Sequence, residues 1–179
     1  MSDPAATSQI RPARARDLPP LHRVIERAYR GESARQGWTY ESDILDGTRT
    51  DLPTLAAILT SPNERLLVAE RAGQPIGCVQ ITDKGAGLAY LGLLCIEPTL
   101  QAAGLGRQLI AAAEALATDV FGATRMEMTV IDVRAELIAY YERRGYLRTG
   151  ETRPFPIDVT PPLRMTVLAR ALPPLCPLL

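Results

Sequence analysis

Apolar residues along this chain follow two rhythms, one of three to four residues and one of two, and the switches between them divide the sequence into elements. Leu18, Leu21, Ile25 and Ala28 recur at helical spacing. Asp17 is the expected N-cap there, and Pro19 suits a first turn in which no backbone N–H has a partner to lose. A second helix is expected behind Asp51, with Leu52, Leu55 and Leu59 on one side. Leu105, Leu109, Ala112, Ala113 and Leu116 predict a third over Gly104 to about Asp119. The fourth runs from Glu136 to about Arg144 and stops at Gly145.

Strands are expected at Ile10–Ala13, Leu66–Glu70, a short apolar run, Ile76–Thr82, Arg125–Ile131, where Met126, Met128 and Val130 alternate, and Leu163–Ala169. Leu88 to Ile96 is an uninterrupted apolar run, as expected of a strand buried on both faces, and Pro98 ends it because proline cannot supply a ladder donor. Ala72-Gly73-Gln74-Pro75 and Lys84-Gly85-Ala86-Gly87 read as hairpin turns. Pro154-Phe155-Pro156 and Pro161-Pro162 read as extended loops.

The resulting order is βααβββαβαβ. Hairpins make neighbours antiparallel, whereas the strand–helix–strand unit from Leu88 to Ile131 favours a parallel crossover. The expected fold class is therefore α/β (α+β), with a mixed, mostly antiparallel central sheet and helices on both faces. Residues 10–170 form the expected single domain, between a disordered leader (1–9) and an extended tail rich in proline and leucine (171–179).

Composition narrows the function classes. A chain of 179 residues that is 46% hydrophobic can bury a core without staples. Twenty Lys+Arg balance twenty Asp+Glu, so no global field draws the chain to nucleic acid or an anionic membrane. Met1 to Gln9 lacks the basic start and apolar stretch of a secretory signal, and no apolar run approaches the ~20 residues that cross a bilayer, so a cytoplasmic location is expected. Cys78, Cys95 and Cys176 show no metal-pair spacing and are read as reduced thiols, two of them in strands. His22 is the single histidine, read as a half-exposed helix residue, and no metal is expected.

One segment carries chemistry beyond packing. Gly104-Leu105-Gly106 follows an apolar strand and opens a helix, where the first N–H groups lack intrahelical partners. Glycines let backbone approach an anion, the helix N-terminus adds partial positive charge, and Arg107 adds a full one. A P-loop would need Gly-Lys-Ser/Thr, and a dinucleotide fingerprint a third glycine where Leu109 stands.

The longer run Leu94-Cys95-Ile96-Glu97-Pro98-Thr99-Leu100-Gln101-Ala102-Ala103-Gly104-Leu105-Gly106-Arg107-Gln108-Leu109 resembles the signature of the GNAT superfamily of acyl-CoA-dependent N-acetyltransferases, in which strand and proline lead to Gln/Arg-x-x-Gly-x-Gly/Ala and a helix. Tyr140-Tyr141-Glu142-Arg143-Arg144-Gly145-Tyr146 resembles the family's second motif. The resemblance covers roughly Ile10 to Ala169 and implies direct acetyl transfer from acetyl-CoA to an amine. It implies that Leu94, Cys95 and Ile96 offer a strand edge to the pantetheine arm, in a splay between this strand and the next. Gln101, Ala102, Ala103, Gly104, Leu105, Gly106 and Arg107 are the implied pyrophosphate loop, and Tyr141 the proton donor to the departing thiolate. Arg134 stands where the family commonly has asparagine, which leaves any carried-over contact there in doubt.

The acceptor side is less legible. The resemblance implies that the loop after the first helix lines it, and Glu32, Arg35, Trp38 and Glu41 combine charge with an aromatic wall there, suited to a small charged amine or an amino-acid-like acceptor. Glu32, Glu41 and Glu97 are the candidate general bases, with an ordered water as relay. The expected reaction is acetylation of a primary amine of a small molecule or peptide, with no nucleic acid or membrane partner and with a homodimer left open. The alternative is a non-catalytic acyl-CoA-binding sensor or assembly domain of the same fold.

Overall fold

A computed structural model of the chain describes residues 8–30 and 48–174, and at 101–103 the backbone alone. Among the described residues the order is β1 (Gln9–Pro12), α1 (Leu18–Tyr29), α2 (Leu52–Thr60), β2 (Glu64–Arg71), β3 (Gln74–Gly85), β4 (Leu88–Ile96), α3 (Leu105–Phe121), β5 (Arg125–Ile131), α4 (Ala135–Glu142), β6 (Leu147–Pro154) and β7 (Arg164–Ala171). The strands hydrogen-bond in the order β1-β2-β3-β4-β5-β7-β6. β4 and β5 are parallel, while β1 with β2, β2 with β3, β5 with β7 and β6 with β7 are antiparallel. The mixed, mostly antiparallel sheet expected from the sequence is the sheet observed.

Two corrections apply. The sequence reading missed β6, which extends the order to βααβββαβαββ. Leu147-Arg148-Thr149-Gly150-Glu151-Thr152-Arg153-Pro154 has no apolar alternation because it is an edge strand, paired through β7 and exposed at nearly every position. Its register also shifts between Arg148 and Thr152, a bulge of the kind that blunts sheet edges. The second correction concerns Asp17, whose side chain does not cap α1. It turns back instead, accepting from the Arg14 N–H at 2.7 Å and from the Arg11 guanidinium at 2.7 and 3.0 Å. Arg11 also donates to Glu70, so one cation ties β1, β2 and the turn before α1 together.

At both ends the described structure reaches a residue or two beyond the expected 10–170. Gln9 already pairs with Glu70, Ala171 is the last residue of β7, and Leu172 is buried with its N–H bonded to the Thr124 carbonyl at 2.9 Å. Cys176, like 1–7 and 175–179 generally, lies outside the described residues.

The chain divides into two compact units, Met1–Thr82 with Gly92–Ala115 and Asp83–Leu91 with Leu116–Leu179. In the first, the predicted face of α1 (Leu18, Leu21, Ile25, Ala28) is buried together with Leu55 and Ile58 of α2, Leu66 and Val68 of β2, Cys78 of β3, and Leu93 and Cys95 of β4. Each fully buried aliphatic side chain there contributes about 1.5–3 kcal/mol. Asp51 caps α2 as expected, accepting from the Thr54 N–H at 2.7 Å. In the second unit, Met126, Met128 and Val130 alternate into a core with Ile138, Tyr146, Val167 and Leu168.

Candidate active site

The cofactor end is built from backbone. Along β4, exposure alternates from Leu88 to Gly92, and every residue from Leu93 to Ile96 is then buried. The change coincides with Leu93, a non-glycine residue at φ 47, a left-handed conformation that costs on the order of 1–3 kcal/mol and breaks the pleat. The parallel ladder to β5 covers Leu88↔Arg125, Ala89↔Met126 and Tyr90↔Glu127. Because the side chains of Leu94, Cys95 and Ile96 are buried, these residues can meet a ligand only through backbone atoms.

Helix α1 fixes that backbone. The Tyr29 hydroxyl donates to the Leu94 carbonyl at 2.7 Å, and the Arg27 guanidinium donates to both carboxylate oxygens of Glu97, at 2.6 to 3.3 Å. Arg27 Nε and Nη2 thus hold the residue just beyond the strand, and the pairing raises the Arg27 pKa. Across the hairpin, a Cβ added at Gly77 would lie 2.6 Å from the Cys95 carbonyl oxygen, so close approach of β3 to β4 demands glycine there. Cys78 and Cys95 are free, buried thiols with sulfurs 3.5 Å apart. Sequence reasoning missed Tyr29 and Arg27, although Tyr29 continues the spacing from Ile25.

Beyond Glu97, Pro98–Ala103 forms a 3-10 turn, Gly104 adopts φ 75 and ψ 5, and α3 starts at Leu105. The Gln108 N–H bonds to the Gly104 carbonyl at 3.3 Å, and N–H groups in the first turn of an α-helix have no acceptor inside that helix. Among the described residues beyond its chain neighbours, Arg107 Nη2 is the atom that comes within 4.0 Å of a Cβ built on Gly104, so a guanidinium stands beside this glycine at a helix N-terminus. Pyrophosphate chemistry fits this donor set.

Tyr141 lies in the other unit, on α4. It is 6% exposed, with its ring edge-on to Tyr140 and Tyr146, and its hydroxyl is not tied to any described residue. Burial raises its pKa first, and Tyr140 and Tyr90 push the same way against an opposing Arg144, so the phenol keeps its proton through the neutral range. The Arg144 guanidinium itself stacks 3.3 Å over the Tyr140 ring. Arg134 precedes α4 as its N-cap without a side-chain cap bond. His22, as expected, is a partly buried helix residue with Nε2 3.0 Å from the Thr50 carbonyl. Glu32, Arg35, Trp38 and Glu41 lie outside the described residues.

A cavity of about 280 Å3 in the second unit was not foreseen. Lys84, Tyr90, Thr129, Arg153, Pro154, Pro156 and Met165 line it. The legible signal was Glu127 and Thr129, polar positions interleaved with Met126, Met128 and Val130, which give β5 a second and chemically different face.

The acetyltransferase (GNAT) family model matches residues 24–146, from α1 through the end of the Tyr141 motif. The chain belongs to that family. It is accordingly an acyltransferase. An IAA acetyltransferase of Azospirillum brasilense is 30% identical over 109 residues, which is 60% of this chain and 68% of that protein. The fold matches the ribosomal-protein-S18-alanine N-acetyltransferase of Escherichia coli with a TM-score of 0.73 at 17% identity, over 97% of this chain and 99% of that one. It matches yncA of Salmonella typhimurium, solved with its cofactor acetyl-CoA, with a TM-score of 0.71 at 18% identity, over 96% and 100% of the two chains. No helix among the described residues is long and apolar enough to cross a membrane.

Proposed function

We propose that the protein is an N-acetyltransferase that moves an acetyl group from acetyl-CoA to a primary amine of a small molecule or peptide. The observation that carries this reading is Gly104, left-handed and open, between a 3-10 turn and the first N–H groups of α3, with Arg107 beside it. In this reading the backbone from Gln101 to Arg107 holds the pyrophosphate, and the backbone of Leu94, Cys95 and Ile96 faces the pantetheine arm. Acetyl-CoA supplies the acyl group as a thioester, whose C–S bond is exchanged for a C–N bond while sulfur departs with the electron pair.

The remaining work falls to the protein's own residues. The amine must lose a proton, and the departing sulfur gains one. Tyr141, kept protonated by burial, donates to the thiolate; since a thiol titrates near ~8.5 and a phenol near ~10, a hydrogen bond that strengthens as charge builds on sulfur is the economical form of that donation. Glu97 is locked to Arg27 by both oxygens, which favours a water relay over this carboxylate as the base. Thiol release from acetyl-CoA over a broad amine panel tests the function. Amine-dependent release with a stoichiometric N-acetyl product supports it. No release with any amine, together with no acetyl-CoA binding by calorimetry, would overturn it.

A further inference from the structure

Among the described residues, both charged residues that line the 280 Å3 cavity are cations and none is a carboxylate. The two cations are held differently. Arg153 sits at the end of β6 with its Nε donating to Glu151 at 2.7 Å and its Nη1 paired with Glu127 at 2.7 Å. Glu127 is 3% exposed, so this second carboxylate is a fixed, buried counter-charge that orients the guanidinium from behind and leaves Nη2 uncommitted. The Lys84 side chain, near the end of β3, has neither an ion pair nor a hydrogen bond among the described residues. With Arg125 also beside Glu127 at 3.9 Å, three cations face two carboxylates, and the surplus charge is that of Lys84.

The rest of the lining is apolar or aromatic. Pro154, Pro156 and Met165 supply greasy walls, and the Tyr90 hydroxyl is satisfied by Thr129 Oγ1 at 2.6 Å, which fixes the ring as a flat side. Tyr90 belongs to the same unit as Tyr141 and adds to the effects that keep the Tyr141 phenol protonated. A volume of 280 Å3 falls just below the ~300–1,000 Å3 of ordinary ligand pockets, room for a molecule of amino-acid size.

We propose that this cavity is the acceptor pocket and selects a small primary amine that also carries a carboxylate, with Lys84 and the free edge of Arg153 binding the carboxylate and Pro154, Pro156, Met165 and Tyr90 enclosing the carbon skeleton. This rests on the acetyl transfer proposed above and names its substrate class. The cations set where the carboxylate lies, and the amine is then directed to the Tyr90 end.

The test uses matched pairs of amines, each an amino acid with its carboxylate at least three carbons from the amine and the corresponding carboxamide, so that amine basicity is nearly equal within a pair. With the full-length protein and saturating acetyl-CoA, the acids are expected to exceed their amides at least tenfold in kcat/KM, through KM, and the preference shrinks as salt rises. Lys84→Met brings the ratio to within about twofold of one, and Lys84→Arg largely keeps it. Lys84 is exposed, and a melting curve checks that each variant is folded. Equal kcat/KM within the wild-type pairs, or a Lys84→Met loss identical for acids and amides, overturns the inference while leaving acetyl transfer standing. Loss of acetyl-CoA binding in the wild type would instead remove the function on which it rests.

Discussion

From Leu94 to Ile96 and at Gly104 the chain offers a ligand its backbone, whereas the cavity beside Tyr90 is lined by side-chain ends. The first stretch gets its specificity from conformation. Leu93 is left-handed, Gly104 is left-handed, and the side chains of Leu94, Cys95 and Ile96 between them are buried. The second depends on which atoms tip the side chains at Lys84, Tyr90, Thr129 and Arg153. Backbone recognition suits a ligand shared across a family, because many sequences can present the same N–H groups. Side-chain recognition suits a ligand that differs from one member to the next, because single substitutions rewrite it.

The comparison breaks most visibly at Tyr141, a side-chain device expected to act in the chemical step. Tyr141→Phe keeps the ring that packs edge-on against Tyr140 and Tyr146 and removes the hydroxyl alone. General acid assistance contributes 10²–10⁴-fold, so kcat with an amine acceptor is expected to fall by about that factor, roughly 3–5 kcal/mol of barrier, with both Michaelis constants near wild type. A fall of only about tenfold would show that water donates instead, and full activity across pH 6 to 9 would remove Tyr141 from the mechanism.

The backbone side of the comparison is sharpened at Gly104. Among the described residues beyond its chain neighbours a Cβ there meets Arg107 Nη2 alone, at 4.0 Å, and the φ of 75 is the main penalty on substitution. Gly104→Val adds β-branching to a left-handed site, at a cost of about 1–3 kcal/mol that the chain can escape by turning the Leu105 and Gly106 N–H groups away from their ligand. Acetyl-CoA is expected to bind roughly 5–150-fold more weakly, with Gly104→Ala closer to wild type, as read by calorimetry. Unchanged affinity in a folded Gly104→Val protein would place the anion site elsewhere.

These two regions were unequally legible in the sequence for a physical reason. Gly104, Gly106 and Arg107 stand out because the glycine pair, weak by itself, sits in a longer run from apolar strand to amphipathic helix that resembles a family signature, and the four helices are readable because each buries one stripe. β6 carries no stripe because neither of its faces is buried, and it was invisible until β7 was seen to pair with it. The acceptor cavity inherits that blindness, since Arg153, Pro154 and Pro156 lie on β6 or just after it. Asp17 was misjudged for the opposite reason. Position before an apolar stripe identified a cap, but Arg11, six residues earlier, offered its carboxylate a charged partner that outbids a backbone N–H.

That misjudged aspartate gives the smallest expected effect and contrasts the two units by pH. The Arg11 hydrogen bond holds the Asp17 carboxyl below its ordinary value of 3.8, with burial opposing and the Arg14 N–H assisting. A depressed folded-state pKa gives stability that is present above the unfolded value and lost as pH falls through the folded one. Tyr141 behaves oppositely: its pKa is raised from 10.0, so its contribution is present below 10 and is lost only in more alkaline solution. Asp17→Asn is therefore expected to lower stability at pH 7 by about 1–3 kcal/mol, or roughly 2–12 °C in melting temperature, since a charge-assisted network loses its anion. Below pH 4 the wild-type and Asp17→Asn melting temperatures should converge, because acid strips the wild type of the same charge. Melting curves from pH 7 down to 2.5 check this, and a gap that stays constant over the whole range would mean that Asp17 stabilises the turn before α1 by shape and not by its bond to Arg11.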